Sequence, residues 1–304
     1  MKKEPIRHHY IPQFILRNFC VDEMGNTFFI EKNSKNITKR QVRDLFMGRN
    51  LYRDTINNDN PIKIEEDLAL FENDVARIIK DKFLSKDEFV LTQYEDDKLK
   101  LFFALMSFRA KSTQEFFKKQ LSKESKKIYS IWQRNKDFED FWKRNLGSLA
   151  RCRSLKEVLD SAEIDEPIKG FFKRDTFGIF GKYFCVVEPK DIGEFVLSDC
   201  YPVVLTGVCE SPFYKSFEVG IYDIYALSPK RAILFANLGC QVCEQDILKM
   251  RQLVLNEPVK NDKSEFVIRV KKLYLEEVDE INNMIIKHAE EGYITKGEKR
   301  IDFK

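Results

Sequence analysis

Apolar residues recur at helical spacing most clearly between Ile64 and Phe83, where Ile64, Leu68, Phe71, Val75, Ile78 and Ile79 form one stripe. Asp67, Asn73, Asp74, Arg77, Lys80 and Asp81 fill the opposite face, so the pattern predicts an amphipathic helix. Glu65 and Glu72 stand apart from that polar face. At about 100° per residue they fall beside Ala69, Ala76, Ile79 and Phe83, along the flank of the stripe. Two carboxylates seven residues apart therefore point one above the other toward the protein. Buried carboxylates need a cation, a metal or strong donors. The next helix is predicted from Asp96 to about Leu121. It is apolar nearly all round from Leu99 to Phe108, which implies deep burial. Arg109 projects between Phe102 and Phe116, on a face that should be covered. Its guanidinium requires an anion there, and Glu72 or Glu65 is the obvious candidate.

From Lys118 to about Arg153 aromatic residues, among them Trp132 and Trp142, alternate with many lysines and arginines. Such interleaving suits either an amphipathic helix with a solvated face or a nucleic-acid surface. Helical patterning resumes at Ser154 and runs to Gly170. From Phe177 onward the signals turn to β: Tyr183–Val187, Phe195–Asp199, Pro202–Leu205, Ile221–Leu227 and Ala232–Phe235 are rich in β-branched and aromatic residues. Near the start, Met24-Gly25-Asn26 predicts a turn before a strand over Thr27–Lys32. A last helix is predicted over Leu273 to about Glu291. The expected fold is α+β, a helical N-terminal half packed on a C-terminal antiparallel β-sheet. Residues 1–172 form the mainly helical region and 173–304 the sheet region with its final helix, within one integrated domain.

The opening stretch, His8-His9-Tyr10-Ile11-Pro12-Gln13-Phe14-Ile15-Leu16-Arg17-Asn18-Phe19, is too polar for a plain core segment. Pro12 disfavours helical geometry at Ile11 and suits the first turn of a helix. His8–Ile11 is therefore expected to be extended, with His8 and Tyr10 on one side and His9 on the other. Gln13–Phe19 is expected to start a helix with Gln13 and Arg17 on a common face. The stretch resembles the opening signature of a microbial family known as domain of unknown function 4238, whose members begin His-His-Tyr-Val-Pro-Gln-Phe-Tyr-Leu-Arg-Asn-Phe. Further resemblances are the Glu-x-x-Leu-Ala-x-x-Glu spacing of Glu65 to Glu72, Ser198-Asp199-Cys200-Tyr201-Pro202-Val203 and Leu227-Ser228-Pro229. Tyr52 resembles an aromatic that the family often places there. Met106 and Ala110-Lys111 depart from it, standing where the family has a Gln and a Thr-Pro. The family's function is not settled, so the resemblance implies no chemistry.

With 304 residues, 43% hydrophobic and 33% charged, the chain has the composition of a globular protein with an ample core. Its 26 phenylalanines imply a core of large aromatic side chains. A net charge of +3, from 52 basic and 49 acidic residues, does not by itself argue for nucleic acid. No segment approaches the roughly 18 apolar residues of a membrane span. The basic start lacks the apolar run of a signal peptide. Seven scattered cysteines suit a reduced compartment, so a cytoplasmic protein with no membrane partner is expected. Cys240-Gln241-Val242-Cys243 with Cys200 and Cys209 is too irregularly spaced to favour a zinc site.

Two functional readings arise. In the first, His8 or His9, Glu65, Glu72 and Asp199 assemble a hydrolase site. Carboxylates with histidine hold Mg²⁺ or Mn²⁺, which activates water against a phosphodiester. The catalytic candidates are His8, His9, Glu72, Arg109 and Asp199, and the metal candidates Glu65, Glu72 and Asp199. Tyr10, Gln13, Arg17 and Asn18 are the substrate-binding candidates, with Arg17 and Arg109 facing phosphate charge. This describes a metal-dependent nuclease, in the manner of a toxin or phage-defence effector, with nucleic acid as partner. In the second reading the polar cluster is a structural lock in a module that binds a partner protein or nucleic acid without catalysis. Every member must then be satisfied.

Overall fold

A computed structural model of the chain describes residues 7–34, 36–122, 135–172, 182–211, 214–236, 259–260 and 265–297. Strand β1 (Arg7–His9) runs into Pro12, whose φ of −56° and ψ of 136° set the entry to helix α1 (Gln13–Arg17). Strands β2 (Asn26–Glu31) and β3 (Ile37–Gln41) pair antiparallel. Strand β4 (Met47–Arg49) then returns beside β1, with His8 opposite Gly48 and His9 opposite Met47. Helix α2 (Lys63–Ile78) continues through a wider final turn to Phe83, as its apolar stripe predicts. Strand β5 (Glu88–Thr92) leads into α3 (Gln93–Arg109), where Thr92 and Glu95 cap one another's backbone N–H groups. Helices α4 (Lys111–Ser122), α5 (Phe138–Arg151), α6 (Leu155–Asp160) and α7 (Glu166–Phe172) complete the helical half.

The second half supplies β6 (Tyr183–Pro189), β7 (Leu197–Ser198), β8 (Val203–Ser211), β9 (Tyr214–Ser228) and β10 (Arg231–Ala236). Strands β11 (Val259–Lys260), β12 (Glu265–Arg269) and β13 (Lys271–Leu273) precede helix α8 (Leu275–His288) and strand β14 (Gly292–Thr295). Five strands form a sheet in the order β13-β6-β10-β9-β8, antiparallel except for the β13–β6 pair. A second sheet, β3-β2-β14-β7, joins the two ends of the chain. A Cβ at Gly292 would press on the Ile30 carbonyl and the Phe29 ring, so this pairing needs a glycine there. Strands β11, β12 and β5 form a third sheet.

The mixed α+β architecture expected from the pattern is present, with helix against sheet at α3. Phe103 packs on Tyr225 and Phe235, at ring-centre distances of 4.4 and 5.4 Å. The Tyr225 hydroxyl donates to the Phe103 carbonyl at 2.8 Å and bonds Ser107 Oγ at 2.7 Å. One apolar cluster runs from Ile11 in the opening stretch to Ile294 in β14. The phenylalanine-rich composition is spent here, for example in Phe108 stacked 3.9 Å from Trp142.

Three expectations are refined. The helix predicted from Asp96 to Leu121 is two, because Ala110 turns to an extended conformation (ψ 141°) just after Arg109. Periodicity records which faces are buried, and it passes unbroken across a bend when both segments bury the same side. Helical patterning from Ser154 to Gly170 is likewise split, where the loop before α7 turns inward so that buried Asp165 accepts from Asn145 at 2.9 Å. Strands β5 and β12, absent from the predicted set, pair over five residues with only alternate side chains covered in β5. Cys240-Gln241-Val242-Cys243, Trp132 and residues 298–304 lie outside the described residues. Among the described residues no helix is long and apolar enough to cross a membrane.

Candidate functional site

The β1–β4 pairing carries the His-His dipeptide to the end of α3, where Arg109 reaches the His9 carbonyl. His8 points inward, is fully buried and stacks on Tyr52 with ring centres 5.6 Å apart and planes 6° from parallel. Its Nδ1 accepts the Tyr52 backbone N–H at 2.8 Å. Alternation along the strand then leaves His9 on the other face, half-buried.

Arg109 is the centre of the site. Only 3% exposed, it donates from Nε to the Tyr52 hydroxyl at 2.8 Å, from one terminal nitrogen to Glu72 Oε1 at 2.6 Å and from the other to the His9 carbonyl at 2.7 Å. The Tyr52 hydroxyl in turn donates to the His9 carbonyl at 3.3 Å. The guanidinium also lies over the Tyr52 ring, 4.8 Å from its centre. One side chain thus fastens α3 to α2, to the Tyr52 loop and to β1. Burial works against its charge, but Tyr52 and Glu72 outweigh it and hold Arg109 firmly protonated.

Glu65 and Glu72 are both half-buried, as their place on the flank of the α2 stripe predicts. They are used differently. Glu72 takes the guanidinium, whereas Glu65 makes no hydrogen bond among the described residues and feels Arg109 only at a distance. Burial raises the Glu65 carboxyl from its ordinary value to about 7, with Glu72 adding to the rise and Arg109 opposing it. His9 moves the other way. Burial lowers its pKa below 6.5, assisted by Arg109 and Arg7 and opposed by the Arg43 carbonyl and Asp44. Tyr52, also buried, is pushed up to about 12 and stays neutral. At neutral pH the site therefore holds an unprotonated imidazole, a carboxyl that retains part of its proton and a fixed guanidinium whose charge acts on both.

On the other side of His9 lies a groove of about 380 Å³ lined by Gln13, Arg17, Asp22, Gln41, Val42 and Arg43, among others. Gln13 belongs to both places, since its side-chain amide also contacts the His9 ring at 2.6 Å. Arg17 is exposed at the groove and Asp22 is paired with Lys39 at 2.8 Å. Arg43 and Gln41 carry no sequence signal of their own. The pairing of Gln41 with Asn26 and the Val42 N–H bond to the Gly25 carbonyl bring this segment beside Gln13.

Of the residues singled out in the sequence, the fold gathers His9, Gln13, Glu65, Glu72 and Arg109, together with Tyr52. Other candidates are placed elsewhere. His8 is occupied in holding the Tyr52 backbone. Asn18 donates to the Leu227 carbonyl at 2.8 Å, linking α1 to β9. Asp199 uses both carboxylate oxygens on the backbone N–H groups of Glu290 and Glu291, at 3.0 and 2.7 Å, and so ties the β7 end to the loop before β14. Tyr10 sits on that side, where burial and the charges of Asp199, Glu291 and Glu290 raise its pKa. The three carboxylates named as metal ligands are thus not brought together. Glu72 is engaged by Arg109 and Asp199 by amides, and among the described residues no three His, Cys, Asp or Glu side chains are grouped to hold a metal. This donor set does not fit a shared divalent cation.

A family model described as a protein of unknown function, DUF4238, matches residues 7–299. No curated protein and no solved structure matches the chain.

Proposed function

The chain belongs to the DUF4238 family of proteins of unknown function, and we propose that it is a nuclease that hydrolyses phosphodiesters by acid–base catalysis. The observation that carries the reading is the grouping around Arg109. Arg109, bonded to the His9 carbonyl and to Glu72, acts through its charge on both the His9 imidazole and the Glu65 carboxyl, and Glu65 has no hydrogen-bond partner among the described residues. Environments that push two titratable groups in opposite directions assign a base and an acid. Here His9, free of its proton, is the base, and Glu65, retaining its proton near pH 7, is the acid. Water attacks phosphorus as the imidazole takes its proton. The phosphorus–oxygen bond to the leaving strand then breaks as Glu65 gives that oxygen a proton. Arg17 and Arg43 in the neighbouring groove supply positive charge to the phosphates. Such a pair gives a bell-shaped rate profile, falling below the His9 pKa and above about pH 7.

The test is cleavage of single- and double-stranded DNA and RNA by purified protein, in chelator and in Mg²⁺ or Mn²⁺. Glu65→Gln and His9→Gln serve as paired variants. Loss of cleavage by about 10²-fold or more in folded variants supports the reading, and undiminished cleavage sinks it. A second reading, a binding module without catalysis, draws on the engagement of all three Arg109 side-chain nitrogens by oxygen acceptors, as a structural lock requires. It predicts no cleavage under any of these conditions.

A further inference from the structure

His9 Nε2 lies 3.1 Å from the Arg43 carbonyl oxygen and 2.6 Å from the amide atom placed as Nε2 of Gln13. A single ring nitrogen cannot donate to the carbonyl and at the same time accept from an amide N–H. If it carried the lone pair, it would face the carbonyl oxygen acceptor to acceptor. A proton on Nε2 resolves both contacts, provided that the Gln13 amide presents Oε1 to the ring, because amide oxygen and nitrogen are told apart only by such networks. Two acceptors then share one N–H. The other ring nitrogen, Nδ1, carries the lone pair and has no hydrogen-bond partner among the described residues.

We propose that Gln13 is a positioning residue that, with the Arg43 carbonyl, fixes His9 as its Nε2–H tautomer and makes Nδ1 the atom that accepts a proton. In the nuclease reading, on which this role in catalysis rests, Nδ1 takes the proton of the attacking water. Gln13 reaches His9 from the first position of α1 while also lining the groove. A substrate seated there would therefore press on the residue that holds the base. The charged groups acting on His9 are Arg109 from α3, Arg7 from β1 and Asp44 from the turn after β3, while Arg43 meets it through its backbone carbonyl. The hydrogen-bond contacts of the ring nitrogens among the described residues are those of Nε2 with Gln13 and the Arg43 carbonyl.

The experiment is long-range ¹H–¹⁵N spectroscopy of the full chain, labelled at histidine. With only three histidines the spectrum is assignable. The contacts predict the Nε2–H form for His8 and the Nδ1–H form for His288, and the His9 signals are those lost in a His9→Gln variant. His8 accepts the Tyr52 N–H on Nδ1, and His288 donates from Nδ1 to the Met284 carbonyl at 2.8 Å. His9 is expected in the Nε2–H form. Gln13→Glu puts a carboxylate on that N–H and should raise the His9 titration by about one pH unit, carrying the acid limb of the rate profile with it. Gln13→Leu should mix the tautomers and lower kcat about tenfold with little change in KM. A His9 ring protonated on Nδ1, or a titration unmoved in Gln13→Glu, overturns the proposal. The expected tautomer in a protein that cleaves no nucleic acid would uphold the positioning by Gln13 and discard the nuclease reading alone.

Discussion

Replacing Glu65 by glutamine removes a carboxyl that the fold holds in its neutral form, and the consequence depends on pH in a defined direction. Burial raises the folded-state pKa from the ordinary 4.5 to about 7. The group therefore adds no penalty below pH 4.5, where both folded and unfolded chains carry the proton. Between pH 4.5 and about 7 the unfolded chain ionises while the folded one keeps its proton, so stability is lost across that window and levels off above it. At about 1.4 kcal/mol per pH unit the full displacement corresponds to about 3 kcal/mol. Partial solvation of a half-buried side chain brings the expected value nearer 2 kcal/mol. Glu65→Gln should thus match the native protein at pH 4.5 and exceed it by about 2 kcal/mol at pH 8. At roughly 2 °C per kcal/mol for a chain of this size, the melting temperature should differ by about 4 °C at pH 8. Calorimetry of both proteins from pH 4.5 to 8 measures the difference, and titrations common to the two cancel. Equal melting temperatures at pH 8, or an advantage that persists unchanged at pH 4.5, would refute the assignment of Glu65 as a carboxyl kept neutral by burial.

Other side chains of the site give separate expectations. Glu72→Ala leaves Arg109 buried without its carboxylate and should cost about 3–5 kcal/mol in urea unfolding. Tyr52→Phe removes the acceptor for Arg109 Nε and the donor to the His9 carbonyl, a loss of about 1–3 kcal/mol by the same measurement. Asp199→Ala frees the amides of Glu290 and Glu291. It should speed hydrogen exchange there and in β14 while leaving any cleavage rate within about twofold, because Asp199 touches none of the groups around Arg109.

The extent to which the site is legible in the sequence follows from how each residue is held. Glu65, Glu72 and Arg109 could be located from helical phase, because each interrupts an otherwise apolar surface and a buried charge demands an opposite one. Phase alone does not say which glutamate Arg109 takes, since both lie on the same flank and two turns separate them. His8 and His9 were separable by strand alternation but not by role. Only the β1–β4 register shows that His8 is turned in against Tyr52 and His9 out toward Gln13. Asp199 read as a ligand because a strand-end aspartate can point into a site. Its partners, the amides of Glu290 and Glu291, lie more than ninety residues away and carry no side-chain signal. The bend at Ala110 was invisible for a related reason, as an alanine fits helix and extended backbone alike. The helix-to-sheet order of the chain was plain from the change of period, while short β5 and β12 offered too few residues to set one.

The central claim is that His9 and Glu65 perform proton transfer around the Arg109 anchor, and it is tested most directly by nucleic-acid cleavage across pH in the presence of chelator. The expected result is cleavage that survives chelation, peaks below pH 7 and falls by about 10²-fold or more in a folded Glu65→Gln variant. Cleavage that is absent, that requires added metal, or that Glu65→Gln leaves unchanged would contradict it.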